Sequence, residues 1–488
     1  MSIIFTFSDS TTKTYTAVDI LDININTPAV YDNRPNDVVS VYISGNYDIP
    51  LYTNNPNLSI TSNVTSKYLL NGLLFSKMIN LVSITTDPTN TYFMSVSGCL
   101  FSKDGTKLYT YPAGKPGSSY TIPSIVTEIC PLAFMNTVNL QTVILNTTMT
   151  FLPKSAQFAN ASGLTSITIP PNITILTTNL FYNCVNLTSI TLHNKLEAFF
   201  PNCIEKCTSL SSLTIPTNID NRSIIFYASC FQSATGLVSI TLPNKITIYE
   251  NSFGHYLFYE CSSLTSIVFP NSVTIIPQFC FKNCVNLTSV TLPNTIISIE
   301  NGSFYHCRSL TSITIPSSVT SFGTTGSSLN FAYCINLETV IFNTDKIRLF
   351  PVGIFAGCAK LASITIPNGV TTLASWCFAG TALLRSITIP DSVTSISSAA
   401  FITFPVIDAN GAPIPGQMRA AGLTTVYMTP LILIRFGLSP GLNATFFGAS
   451  NVTIILILPA PEPIPRIRPP PRGYIFSGPS VFTNNLVF

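Results

Sequence analysis

The sequence predicts a repeat solenoid of about 12 coils, each lending one short strand to a sheet that runs the length of the molecule. Three observations lead there. A Leu recurs as an anchor at Leu140, Leu164, Leu187, Leu210, Leu237, Leu264, Leu287, Leu310, Leu337, Leu361 and Leu384, with gaps of 23 to 27 residues. A Phe stands six residues before every one of these anchors except Leu210, which has Ile204 instead. Charged residues make up only 9% of 488, against roughly 25% in an ordinary soluble domain. One coil cannot bury its own apolar face, but stacked neighbours can.

Residues 1–74 lack the repeat, although Val38 to Gly45 reads as a strand. Terminal coils of a solenoid are atypical because they close an open core, so this segment is expected to be an N-terminal cap. Residues 75–133 hold an outlying first copy, with Phe75 six residues before Leu81. Residues 134–400 are the regular part. In the Leu264 copy, Leu264, Ile267 and Phe269 face inward, as the alternation of a half-buried strand requires. Pro270 ends the strand because proline has no amide to donate. Asn271 and Ser272 supply turn chemistry. A second short strand is expected over Val273 to Ile276, then a compact segment carrying the next Phe.

Residues 401–458 read as degenerate repeats and a C-terminal cap. Phe401 holds the register, Gly411 to Pro415 mark an inserted loop, and Asn451 to Leu458 form a last strand-like run. Residues 459–473 are a Pro-rich spacer able to extend roughly 40 Å. Residues 474–488 are apolar and read as a docking tail, with Tyr474, Phe476, Phe482 and Phe488 as its candidate contacts.

The copies SLTSITIP (Ser309 to Pro316), NLTSVTLP (Asn286 to Pro293) and KLASITIP (Lys360 to Pro367) carry the Leu-x-x-Ile-x-Ile spacing of a leucine-rich-repeat strand. With FKNCVNLTSVTLPNTIISIENGSF (Phe281 to Phe304), they make residues 75 to about 400 resemble the BspA-like leucine-rich repeat family. The resemblance implies a right-handed leucine-rich-repeat β-solenoid with short helical or irregular convex segments. It also implies surface adhesion or protein binding rather than catalysis. Ser97 to Phe134 resembles a hairpin insertion common in that family.

Net charge is +3, which argues against a nucleic-acid binder driven by phosphate neutralisation. No apolar run reaches the ~18–20 residues of a spanning helix. The N-terminal residues lack the pattern of a secretory signal. A cytoplasmic or particle-associated protein is therefore expected, in preference to classical secretion.

Seven of the 13 cysteines stand three residues before an anchor and four stand seven before one. Metal ligands converge on a point, whereas these repeat along an axis. They read as small buried hydrophobes, and no metal or cofactor is called for. His193, His255 and His306 have no partner spaced for a metal site or a hydrolytic triad. No catalytic residue emerges.

The outward strand positions are the candidate binding surface. Two residues after each anchor stands a Ser or Thr, and four after it stands Thr in eight copies. The candidate pairs are Ser166 with Thr168, Ser189 with Thr191, Ser212 with Thr214, and Ser239 with Thr241. They continue as Ser289 with Thr291, Ser312 with Thr314, Ser363 with Thr365, and Ser386 with Thr388. The expected function is a non-enzymatic protein-interaction or adhesion scaffold with a protein partner. The alternative is a structural component of a large assembly, such as a viral capsid or surface layer.

Overall fold

The computed structural model describes residues 2–16, 37–44, 75, 78–147, 149, 155–249, 256–323, 328–407, 413–419, 421–438, 441–446 and 449–457. Its centre is a leucine-rich-repeat β-solenoid of about 12 coils with little helix. Anchor strands such as Ser166–Thr168 and Ser189–Thr191 pair in parallel and in register, Ser on Ser, Ile167 on Ile190, and Thr on Thr. The register follows from the core: a slip by one residue would turn Ile167 and Ile190 to solvent.

Ile275–Ile276 and Ser298–Ile299 are second strands, also paired in parallel. They are shorter than the four residues expected from the sequence. The amide of Val273 is already used to close the Pro270 turn, at 3.0–3.2 Å in this and equivalent coils, so the ladder starts two residues later.

The third side of each coil is a run of tight turns. Backbone bonds join it to the next coil, as from Phe181 N to Cys203 O at 2.9 Å and from Phe281 N to Ser303 O at 2.7 Å. Two columns of left-handed residues make the turns possible, eight and four residues before each anchor. Asn179 and Asn183 have φ 57° and 57°, and Gly353 and Gly357 have φ 67° and 73°. Asn and Gly tolerate this region. Phe279 at φ 56° and Trp376 at φ 62° hold it against the ordinary cost of about 1–2 kcal/mol for a residue with a Cβ.

Inside, the Phe rings stack from coil to coil. Phe258 and Phe281 are 5.6 Å apart and within 2° of parallel. Phe304 and Phe331 are 5.2 Å apart at 7°. The column is interrupted at Ile204, and there a ring arrives from the second strand. Phe199 stacks on Phe226 at 4.9 Å and reaches Phe231 at 5.9 Å.

At the N-terminal end, Ser2–Phe7 pairs antiparallel with both Thr12–Thr16 and Val38–Ser44. Val38–Ser44 then runs parallel to Ser83–Thr86 of the first copy. Phe5, Val41, Phe75, Leu81 and Ile84 form a core separate from the main one. The insertion after it is a hairpin, Phe93–Val96 with Cys99–Ser102. Ser97 and Gly98 turn it at φ 51° and 79°, the positive pair that a two-residue hairpin loop needs.

At the C-terminal end, Ser386–Thr388, Thr425–Met428, Ala449–Leu456 and Gly441–Phe446 form one sheet in that order. The last strand therefore starts earlier than Asn451. Of the segment expected to be an inserted loop, Gly411 to Pro415, the first two residues lie outside the described residues and the rest belong to a strand, Pro413–Arg419, antiparallel to Phe404–Ile407. Phe404 lays its ring against Tyr333 and Trp376, at 5.3 and 6.1 Å. After Met428 comes a short helix, α1 (Pro430–Arg435), capped by Thr429. Arg435 ties it back by donating to the Asp391 and Val393 carbonyls at 2.8 and 2.6 Å.

Candidate binding surface

The hydroxyls that recur around the anchor strand and its turn divide into two kinds. Five of those one residue after the anchor, Thr165, Thr188, Thr265, Thr288 and Thr424, are committed to the fold, whereas Ser211 and Thr311 are not. Thr188 Oγ1 donates to Thr165 O at 3.0 Å, and Thr288 Oγ1 to Thr265 O at 3.0 Å. Those in the turn, eight after the anchor, are committed too. Ser272 donates to Ile246 O at 3.0 Å, Thr295 to Val273 O at 2.7 Å, and Ser392 to Val370 O at 2.7 Å.

The candidate pairs two and four residues after the anchor are of the other kind. All sixteen occupy the outward positions of the anchor segments, exposed except for half-buried Ser166; fourteen are in strands, and Ser363 and Thr365 lie outside any strand. Among the described residues none of them forms a side-chain hydrogen bond. Neighbouring coils stand about 4.8 Å apart, and the two columns about 6.6–6.8 Å apart along each strand. Each hydroxyl can both donate and accept.

Charge is sparse here. Glu338 and Lys360 lie one after and one before their anchors, 3.8 Å apart and mostly exposed, a pairing worth little in water. The columns are broken by Ile144, Val268 and Ile341, which stand 51%, 65% and 49% exposed. Shallow grooves run between coils where the strands meet their prolines. One, between Ser239–Asn244 and Ser266–Pro270, holds about 360 Å³. A larger one of about 570 Å³ lies at the C-terminal end.

The remaining candidate chemistry is absorbed by the fold. All 13 cysteines are buried thiols outside any disulfide. Their role is more specific than apolar filler, because the ladder thiols donate to the spine. Cys284 Sγ lies 3.1 Å from Phe258 O, Cys307 Sγ 3.2 Å from Phe281 O, and Cys334 Sγ 3.1 Å from Phe304 O. Burial pushes the Cys184, Cys280, Cys284 and Cys307 thiols well above the usual range. Such thiols are poor nucleophiles.

His193 stands where other copies place the strand-ending proline. Its Nε2 meets Ile173 O and its Nδ1 accepts from Lys195 N, both at 3.0 Å. His306 Nδ1 meets Asn283 Oδ1 at 2.9 Å, and its other nitrogen accepts from Arg308. These bonds went unread in the sequence, although the break in the proline column at His193 marked one of them. His255, the Pro-rich spacer and the docking-tail residues Tyr474, Phe476, Phe482 and Phe488 lie outside the described residues. Among the described residues no group of acidic, His and Cys side chains is arranged to hold a metal ion. No described helix is long and apolar enough to cross a membrane.

The leucine-rich repeat protein of Bacteroides ovatus is similar in fold, with 18% identity over 75% of this chain and 90% of that one, at a TM-score of 0.54. A leucine rich cell surface protein of Faecalibacterium prausnitzii aligns at 24% identity over 63% of this chain and 91% of that one, with a TM-score of 0.36. No curated protein sequence matches the chain. The sequence profile of the BspA type leucine rich repeat region matches residues 127–255, 251–343 and 324–407, with six copies. Those stretches cover more than half of the chain, and the coils stack as that repeat demands: the chain belongs to the BspA-type leucine-rich-repeat family.

Proposed function

We propose that this protein is a non-enzymatic interaction scaffold whose protein partner docks on the outer face of the anchor sheet. One observation supports the reading above the others. Most hydroxyls one and eight residues after the anchors, such as Thr188, Thr288, Ser272 and Thr295, are consumed by bonds between coils, while none of the sixteen hydroxyls two and four after bonds to a described residue. A partner laid on that face would meet donors and acceptors already held in place, with few charges to strip of water. Holding such groups in place lowers the entropy lost on binding. Adhesion to a surface protein is one form of the same function.

The test is a triple variant, Thr241→Lys, Thr291→Lys and Thr314→Lys, compared with the parent by cross-linking and mass spectrometry in its native extract. The substituted residues are exposed and bond to nothing in the chain, so the melting temperature should stay within a degree or two. The cross-linked partner should be lost, and the parent's cross-links should map to the anchor sheet. Capture of the same partner by the triple variant, through the turn side or the ends, would overturn the assignment of this face.

A further inference from the structure

We propose that the solenoid hinges at one junction, between the coils anchored by Leu237 and Leu264, about a pivot on its turn side. Among the described residues, every other junction from Leu164 to Leu384 has paired strands on at least one of its two strand sides. Here the anchor strands Ser239–Thr241 and Ser266–Val268 belong to separate sheets, and so do the second strands Ile246–Ile248 and Ile275–Ile276. A shallow groove marks each side of the same junction. The anchor-side groove, between Ser239–Asn244 and Ser266–Pro270, holds about 360 Å³. The second-strand groove, between Thr247–Tyr249 and Ser272–Ile275, holds about 340 Å³.

The sequence accounts for the opening. The residue that follows a second strand donates its amide to the coil before. Phe200 donates to Leu176 O, Tyr227 to Phe199 O, Glu300 to Ile276 O and Ser397 to Leu373 O, at 2.8–2.9 Å. Pro277 stands in that place and has no amide to give. Thr274, where Ile297 and Thr320 donate to the preceding coil, has no acceptor among the described residues. On the anchor side the Leu242 amide has none either, although Ile215 and Phe269 at that register reach Thr241 O and Thr291 O at 3.0 and 3.3 Å.

The bonds that remain place the pivot. On the turn side, Phe231 N donates to Leu257 O at 3.1 Å and Ser233 N to Tyr259 O at 2.7 Å, while Ser233 Oγ donates to Glu260 Oε2 at 2.9 Å. Inside, Phe231 and Phe258 stack at 5.2 Å and within 7° of parallel. The strand sides keep only two ties. Thr265 donates its amide to Val238 O at 3.1 Å, and the Ser272 hydroxyl bonds to the amide and the carbonyl of Ile246 at 2.8 and 3.0 Å. Opening proceeds where the fewest bonds must break, so the two strand sides part while the turn side holds. Such a motion changes the curvature of the anchor face at Val268, whether or not a partner is docked there.

Hydrogen exchange of the full chain, read residue by residue through electron-transfer fragmentation, tests this. Thr265 and Thr288 are a matched pair. Each lies in Leu-Thr-Ser, and each bonds through amide and hydroxyl to one carbonyl of the coil before. The Thr265 amide should exchange at least threefold faster, because its junction opens and that of Thr288 does not. Ile246 should exchange in step with Thr265, and Ser233 at the pivot more slowly than either. Pro277→Ala supplies the missing amide and should slow Thr265 toward Thr288. The parent measurement needs no variant, so it decides even if Pro277→Ala does not fold. A Thr265 amide less than threefold faster than Thr288 overturns the hinge. A Ser233 amide as fast as Thr265 overturns the pivot, and a ratio unmoved by Pro277→Ala overturns the proline as the cause.

Discussion

The inner and outer faces of the anchor sheet treat departures from their pattern differently. Inside, the spine lacks its Phe at Ile204, and there Phe199 reaches the next spine ring, Phe231, from a second-strand column that runs Leu176, Phe199, Phe226. Outside, the Thr column is broken at Val268, which still pairs in register with Thr291. Close packing enforces the inner pattern, because a void or an overlap there costs stability. No such force acts on the outer face. Core packing therefore does not require the regularity of its hydroxyls, which is the physical ground for the proposal that a partner docks on that face.

The comparison breaks most easily at the spine. Phe281→Ala should cost about 3–5 kcal/mol in denaturant unfolding, since the ring is fully buried between Phe258 and Phe304. A loss below 1 kcal/mol would mean that the interior is not enforced by volume. Ile204→Phe should cost about 1–3 kcal/mol by overpacking. Adding Phe199→Leu should recover most of that loss, because the pair returns the ring to its usual column. Additive effects of the two changes would show that the compensation is not real.

The thiols extend the test to pH. Burial raises ten of them above the ordinary range, Cys99 to about 11. Above an unfolded pKa of about 8.5, the folded chain then holds protons that the unfolded chain has lost. Stability should be level below that pH and fall above it, by about 1.4 kcal/mol per pH unit for each such thiol. Cys284→Ala should make the decline shallower by about one thiol's share. An alkaline slope equal to the parent's would place that thiol in contact with water. No outer-face substitution should alter the slope.

The solenoid was legible in the sequence because volume and period leave few choices. Leu264, Ile267 and Phe269 face inward as their spacing requires, and they recur in every regular coil. The outward hydroxyls were legible because they recur at fixed distances from the anchors. What they bond to was not, because Thr288 and Thr291 look alike in sequence and differ only in reach to a neighbouring carbonyl. The left-handed columns were hidden by residue types as different as Phe279 and Gly302, although Gly302, Gly353, Asn183 and Asn283 at fixed distances from the anchors were a usable signal. The hairpin ending in Pro413–Arg419 was missed because its Gly and Pro residues are common to loops and to hairpin tips. Its partner strand is identified only by pairing.

The smallest effects sharpen the comparison most, because they separate two threonines of one strand segment. Thr288 and Thr291 are both exposed and three residues apart. Replacing either by Val keeps the shape and removes the hydroxyl. At Thr288 the lost group holds the carbonyl of Thr265, so Thr288→Val should destabilise by about 0.5–1 kcal/mol, at the low end for a hydrogen bond because water can reach the site. At Thr291 the hydroxyl holds nothing in the chain, and the adjacent coil already carries Val268 at the paired position. Thr291→Val should therefore stay within about 0.5 kcal/mol of the parent, as exposed sites without special contacts do. Partner capture should respond in the opposite order, weakened at Thr291 and little changed at Thr288. Equal stability losses would mean that both columns serve the fold, and the outer hydroxyls would then need no partner to explain them.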